Sequence, residues 1–157
     1  MTQSQGPAGF DVNRLTTGQK VLLGGGIVYL IVLFFPWFGA GGEVAAFAEG
    51  LGIDTSVNGF AGLFGLMSGI FVIALLVWEG MVAAGSKVQL GTTSPALIGA
   101  VAGGLAALFG ILNVLVNLSV ARLWAWIGIL VALALLYGAY VRFQESKVGG
   151  APPPPAA

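Results

Sequence analysis

The side chains that most often do chemistry are missing or sparse in this chain of 157 residues. It has no His and no Cys, which removes the commonest metal ligands, general bases, thiolate nucleophiles, disulfides and haem or cluster ligands. The acids are Asp11, Glu43, Glu49, Asp54, Glu79 and Glu145, balanced by Arg14, Lys20, Lys87, Arg122, Arg142 and Lys147. Glu43, Glu49 and Asp54 crowd into one stretch and offer the hard oxygens calcium takes, but their spacing does not match a D-x-D-x-D-G loop, so they read as solvating charge. Glu79, next to Trp78, reads as a headgroup contact or an ion-pair partner of Lys87. Serines and threonines have no partner base, and a G-x-S-x-G elbow, a phosphate loop and a dinucleotide fingerprint are all absent. No catalytic, cofactor-binding or metal residue is assigned, and no enzymatic activity or cofactor is expected. A net charge of zero gives no basic face for nucleic acid.

Three amides remain as a candidate polar cluster. Asn113 and Asn117 lie four residues apart, on one helical face, and Asn58 opens another apolar run. They read first as interhelical hydrogen-bonding groups, worth about 0.6 kcal/mol each on average in membranes. The sharper alternative is a polar pocket open to the outside.

The elements that must carry these groups follow from hydropathy. The chain is 57% hydrophobic and 8% charged, with a mean hydropathy of +0.97. Soluble domains carry about 25% charged residues. Four runs, 21–37, 57–78, 96–118 and 123–141, contain no Asp, Glu, Lys, Arg or His and match the roughly 17 to 25 residues a membrane-spanning helix needs. The expected fold is an all-α membrane protein, an antiparallel bundle of four transmembrane helices within residues 20–142 and an external loop at 38–56. Residues 1–19 are expected to be a disordered cytoplasmic tail and 143–157 a Pro-rich cytoplasmic tail.

Orientation rests on basic residues, which are retained on the cytoplasmic side. Arg14, Lys20, Lys87, Arg142 and Lys147 fall on one side and only Arg122 on the other, so both termini are expected inside. Phe34, Phe35, Trp37, Phe38, Phe60, Trp124 and Trp126 then form an outer aromatic belt, and Trp78, Tyr137 and Tyr140 an inner one. Ala46, Phe47 and Ala48 make an A-x-A tripeptide, but the preceding run is too long and too far away for a signal peptide, and it reads as an uncleaved anchor.

Local signals refine this picture. Thr16 with Gln19 matches a capping box, Pro36 should stop the first helix, and Pro95 suits the first position of the third. Residues 43–51 form a short amphipathic candidate with Val44, Phe47 and Leu51 on one side, expected to lie on the membrane surface. Helices in lipid associate through small residues. The packing faces are therefore assigned to Gly62, Gly65 and Gly69, to Gly99, Gly103 and Gly110 with Ala106 and Ala107, and to Gly128 with Ala125, Ala132 and Ala139. Val101, Leu105, Leu108, Leu112 and Val116 are expected to meet lipid.

The lead Phe10-Asp11-Val12-Asn13-Arg14-Leu15-Thr16-Thr17-Gly18-Gln19-Lys20, followed by Phe34-Phe35-Pro36-Trp37-Phe38, resembles a family of small uncharacterised bacterial membrane proteins common in actinobacteria. In that family an R-L-S/T-x-G-x-K lead enters the first span and an F-L-P-W segment closes it. Trp126-Ile127-Gly128 and Gly138-Ala139-Tyr140 in the last span are also similar. The resemblance covers both ends and little of the middle, where many members have a tryptophan in the external loop and this chain has Phe47. It implies four spans and a cell-membrane address, and no activity. The expected function is a structural, accessory or partner-binding component of a bacterial cytoplasmic membrane; the alternative is an oligomeric channel or a small-molecule carrier subunit. Expected partners are the lipid bilayer, a second copy of the chain or another membrane protein.

Overall fold

The computed structural model describes residue 13, residues 15–86 and residues 91–148. In chain order these form α1 (Thr17–Leu33), β1 (Pro36–Phe38), α2 (Gly42–Gly50), β2 (Val57–Asn58), α3 (Gly62–Ala83), α4 (Pro95–Val116) and α5 (Leu123–Val148). A single 3-10 turn, Leu118–Val120, joins α4 to α5. Stretches Gly62–Ala83, Pro95–Val116 and Leu123–Lys147 are long and apolar enough to cross a membrane, and α1 is a shorter apolar helix. Lys87, Arg14 and the proposed Pro-rich end from residue 149 lie outside the described residues.

The caps follow the sequence. Thr16 Oγ1 accepts from the Gln19 N–H at 3.3 Å, and Gln19 Oε1 accepts from the Thr16 N–H at 3.1 Å. Ser94 caps α4 by accepting from the Leu97 N–H, with Pro95 at the first helical position. α1 therefore begins at Thr17, inside the stretch expected to be a disordered tail. α5 continues past residue 141 to Val148, which carries Arg142 and Glu145 into the helix.

One boundary differs more. The run 57–78 was expected to enter its helix at Val57, with Asn58 as a cap. Instead Val57 and Asn58 pair antiparallel with Pro36–Phe38, and the helix starts at Gly62, whose φ of 75° favours glycine. Asn58 is exposed and its Oδ1 accepts from the Phe60 N–H at 3.2 Å, a local turn. Pairing with the buried β1 residues Trp37 and Phe38 explains the difference, because the backbone groups of that buried strand must find partners. The ribbon is tied on both sides: Gly59 N–H donates to Leu33 O at 2.8 Å, Arg122 N–H to Trp37 O at 2.7 Å and Gly39 N–H to Val120 O at 3.1 Å.

α1 packs against α3 and α5, and α4 packs against the same two helices, so the four close into a ring with α1 and α4 on one diagonal. Neighbours are antiparallel. Along α1 and α5, for example, Gly18 meets Arg142, Gly25 meets Leu135, and Trp37 lies against Gly128. The core holds Leu22, Tyr29, Leu33, Trp37, Val72, Leu75, Ala106, Val114, Ala132 and Leu135. Ile70, Ile73, Val77, Val101, Leu108, Leu130 and Leu133 point outward and are exposed.

Three expected belt residues, Trp37, Phe38 and Trp78, are buried instead. Trp37 is fully buried and its Nε1–H donates to Val32 O at 2.7 Å, while Phe38 is buried beside it. An indole packed against glycines and given a carbonyl acceptor gains more from burial than from a headgroup. Trp126, Tyr137 and Tyr140 remain exposed.

Candidate functional site

Polar chemistry in this bundle sits at three depths, each built on a glycine that leaves room for a functional side chain. At the end opposite the ribbon, Arg142 on α5 forks onto Glu79 on α3: Nε donates to Oε1 at 3.0 Å and Nη2 to Oε2 at 3.2 Å. Glu79 is 0% and Arg142 5% exposed. Arg142 Nη1 also donates to Glu145 Oε2 at 3.0 Å. Glu145 then reaches α1, accepting from the Gly18 N–H at 3.0 Å and from the Thr16 hydroxyl at 2.7 Å.

All four helices meet at this cluster. α4 contributes Gly99, where a Cβ would run into the Glu79 carboxylate, and α1 contributes Gly18, where a Cβ would come within 3.0 Å of the Arg142 backbone nitrogen. The pair therefore crosses the diagonal between α3 and α5 through space that two glycines keep open. Glu79 was expected at the headgroups or paired with Lys87, which lies outside the described residues; it is instead buried in the bundle, where Arg142 bonds both of its oxygens. Trp78 turns its Nε1–H to Pro95 O at 3.0 Å, which fixes the helix rotation that points Glu79 inward.

Midway along, Tyr29 on α1 and Ser68 on α3 are fully buried, with their hydroxyl oxygens 2.8 Å apart. The Ser68 hydroxyl donates to Ala106 O on α4 at 2.7 Å. Serine has one hydroxyl proton, so Tyr29 is the donor in the first bond. Gly110 makes this possible, since a Cβ there would collide with the Tyr29 hydroxyl.

At the ribbon end, Asn113 is 1% exposed and its Nδ2 donates to Gly59 O at 3.0 Å. Asn117 donates to Asn113 O at 2.8 Å. Gly65 is the socket for Asn113, Gly69 for the Phe60 ring and Gly128 for the Trp37 ring. Asn113 and Asn117 thus come together, while Asn58 stays on the ribbon with its amide turned to its own backbone. Among the assigned packing glycines, Gly65, Gly69, Gly99, Gly103, Gly110 and Gly128 are buried and Gly62 is exposed. Gly103 receives the Leu22 side chain from α1.

The loop acids are spread and exposed. Ser56 donates its N–H and hydroxyl to Asp54 at 2.8 and 3.0 Å. The Ser56 N–H first, then its hydroxyl, hold the Asp54 carboxyl below its ordinary range, with the Arg122 charge adding to them. No three His, Cys, Asp or Glu residues are grouped to hold a metal among the described residues. On α2, Ala48 is buried, whereas Val44, Phe47 and Leu51 are uncovered.

Sequence reasoning did not find the Glu79–Arg142–Glu145 cluster or the Tyr29–Ser68 bond. A signal was present for the first. Buried residues on α3 include 65, 68, 72, 75 and 79, and on α5 include 125, 128, 132, 135, 139 and 142, so a three-and-four spacing within the packed stripe runs on into the charged residues. No protein-family model, curated protein or solved structure matches this chain.

Proposed function

We propose that the chain is a four-span integral protein of a bacterial cytoplasmic membrane, with both termini inside, acting as a non-enzymatic accessory or partner-binding component. The carrying observation is that, among the described residues, the buried charged side chains Glu79 and Arg142 are bonded to each other, and Arg142 also to the partly exposed Glu145. Ion pathways and proton relays need free or exchangeable charges at depth. A forked pair joined to all four helices serves instead as a clamp.

Support for α1 as the fourth span comes from its reach. Seventeen residues rise about 26 Å, and α1 runs beside α5 from Gly18 at the ion-pair end, with Trp37 of β1 carrying the contact on to Gly128 at the ribbon end. It is shorter than α3, α4 and α5, and the β1 ribbon extends its path along α5. The basic-residue bias places the ion-pair end on the cytoplasmic side and the ribbon with α2 outside. Leu22, Leu33, Val72, Leu75, Val114 and Leu135 pack together along the bundle axis, which favours the accessory reading over a carrier. The uncovered apolar side of α2 is then available to the outer membrane surface or a partner.

Two measurements test this reading. The chain has no native cysteine, so Ala46→Cys on α2 and Ser86→Cys after α3 report sidedness to an impermeant maleimide. Ala46→Cys should label in intact cells and Ser86→Cys only after permeabilisation; the reverse would invert the topology. Crosslinking and copurification from native membranes should yield a larger stable complex, whereas solute flux in liposomes by the pure protein would favour the carrier.

A further inference from the structure

At the ribbon end a cavity of about 270 Å³ opens between β1, residues 55–57 and the α4–α5 turn. Its walls are apolar, from Phe38, Val57 and Val120, and Thr55 and Asn117 contribute the polar groups. Gly62 forms part of the lining, and Asn113 lies behind it: a Cβ on Gly62 would sit 3.9 Å from Asn113 Oδ1. Because Gly62 has no side chain, nothing of its own stands between that oxygen and the cavity.

The Asn113 amide is fixed in orientation. Its Nδ2 donates to Gly59 O, and the flipped amide would set two carbonyl oxygens against each other. Oδ1 accepts from no described residue, yet among the described residues no fully enclosed side-chain oxygen or nitrogen lacks a partner. Asn113 is 1% exposed and lies behind the cavity wall, so the amide that reaches the cavity is that of Asn117. Asn117 repeats the arrangement, with its Nδ2 used on Asn113 O and its own Oδ1 accepting from no described residue.

We propose that this cavity binds a small neutral molecule with an apolar body and a hydroxyl that donates to the carboxamide oxygen of Asn117, whose Nδ2 is already used on Asn113 O. The Asn117 amide oxygen is an acceptor, so the ligand must donate. No ionisable side chain lines the space, so the ligand is uncharged. A dry cavity of about 150 Å³ holds benzene, so this one has room for a substituted ring of about ten heavy atoms. Water alone would serve the oxygen but leave Phe38, Val57 and Val120 wetted, and a ligand that supplies the donor and covers the wall replaces it at a gain. This assignment goes beyond the accessory reading and does not depend on which partner the protein has.

The test uses the purified full chain in lipid nanodiscs with 4-isopropylphenol and its methyl ether, 4-isopropylanisole, followed by melting temperature and saturation-transfer NMR. The phenol should stabilise the parent saturably, and the ether, which cannot donate, should bind about tenfold more weakly. Ala40→Trp and Val57→Trp each fill the cavity and should abolish the phenol response while melting like the parent. Asn117→Leu, which leaves the Asn113 anchor to Gly59 in place, should weaken the phenol about tenfold. Equal binding of phenol and ether, a response that does not saturate or survives in the tryptophan variants, or no response to either probe would each overturn the proposal. If neither tryptophan variant folds, the phenol-to-ether ratio and Asn117→Leu still decide it.

Discussion

Arg142→Leu is the sharpest perturbation of the clamp. In the native protein both Glu79 oxygens are bonded by Arg142, at 3.0 and 3.2 Å, and no other described donor reaches them. Glu79 is 0% exposed, so water cannot take over, and the variant leaves an uncompensated buried charge. Breaking a buried pair from one side costs about 3 to 5 kcal/mol, which is roughly two to four orders of magnitude in the unfolding equilibrium. Removing both partners is different: Glu79→Leu with Arg142→Leu strands no charge, and apolar replacement of a buried pair is commonly neutral or stabilising. The assay is reversible unfolding by dodecyl sulfate in mixed micelles, followed by tryptophan fluorescence, since Trp37 and Trp78 are both buried. Arg142→Leu should fall by the stated amount and the double variant should recover most of it. Gly99→Ala should also destabilise, because its Cβ would displace the Glu79 carboxylate, and should do little once Glu79 is Ala. The reasoning is refuted if Arg142→Leu unfolds within about 1 kcal/mol of the parent, below the buried-pair range, or if the double variant is no better than Arg142→Leu. Should Arg142→Leu not accumulate at all, recovery of folded protein in the double variant is the reading.

Further outcomes follow from the same geometry. Gly110→Ala sets a Cβ against the Tyr29 hydroxyl and should lower stability by about 1 to 3 kcal/mol; adding Tyr29→Phe should restore part of the loss, measured as melting temperature in detergent. Gly103→Leu should lower stability by displacing Leu22, whereas Leu108→Ile on the exposed face should do little; equal effects would contradict the face assignment. Asn113→Leu strands the Gly59 carbonyl and should melt lower than Asn117→Leu, with a loss of about 1 kcal/mol. The Asp54 turn should persist above the ordinary carboxylate range and open only as the pH falls through its lowered value, seen as a low-pH shift of the Ser56 amide resonance that Asp54→Asn removes.

Much of the bundle was legible because its signal is collective. A run free of charge over some twenty residues can be satisfied in few ways, and the small residues of α4 and α5 fall on one face whatever the exact helix ends. Legibility failed where a single local interaction decides. Val57 and Asn58 look like the start of a helix in hydropathy, yet their backbone groups are taken by Pro36–Phe38, a pairing between residues some twenty apart that no local pattern encodes. The Pro36 stop and the Thr16–Gln19 box were legible because their partners lie within four residues. The clamp was missed for a related reason: runs cut at residues 78 and 141 end one residue before Glu79 and Arg142. A charge at a run's edge was assigned to the interface, whereas the buried stripe continues through it.

The glycines show how the two scales connect. In lipid, a face of small residues ordinarily means close approach of two backbones. Here the space left at Gly99, Gly110, Gly65 and Gly128 is filled by Glu79, Tyr29, Asn113 and Trp37, side chains arriving from other helices or from the ribbon. A polar group carried into an apolar interior needs both a partner and a volume. The partners are Arg142, Ser68 and the Gly59 and Val32 carbonyls, and the missing Cβ atoms supply the volume. Each socket accepts one side chain at one height, so a shift of any helix by a turn would strand several polar groups together. Helix register in this bundle is therefore set by matched pairs of glycine and polar or aromatic residue, while the outward Ile, Leu and Val surface leaves that register unconstrained.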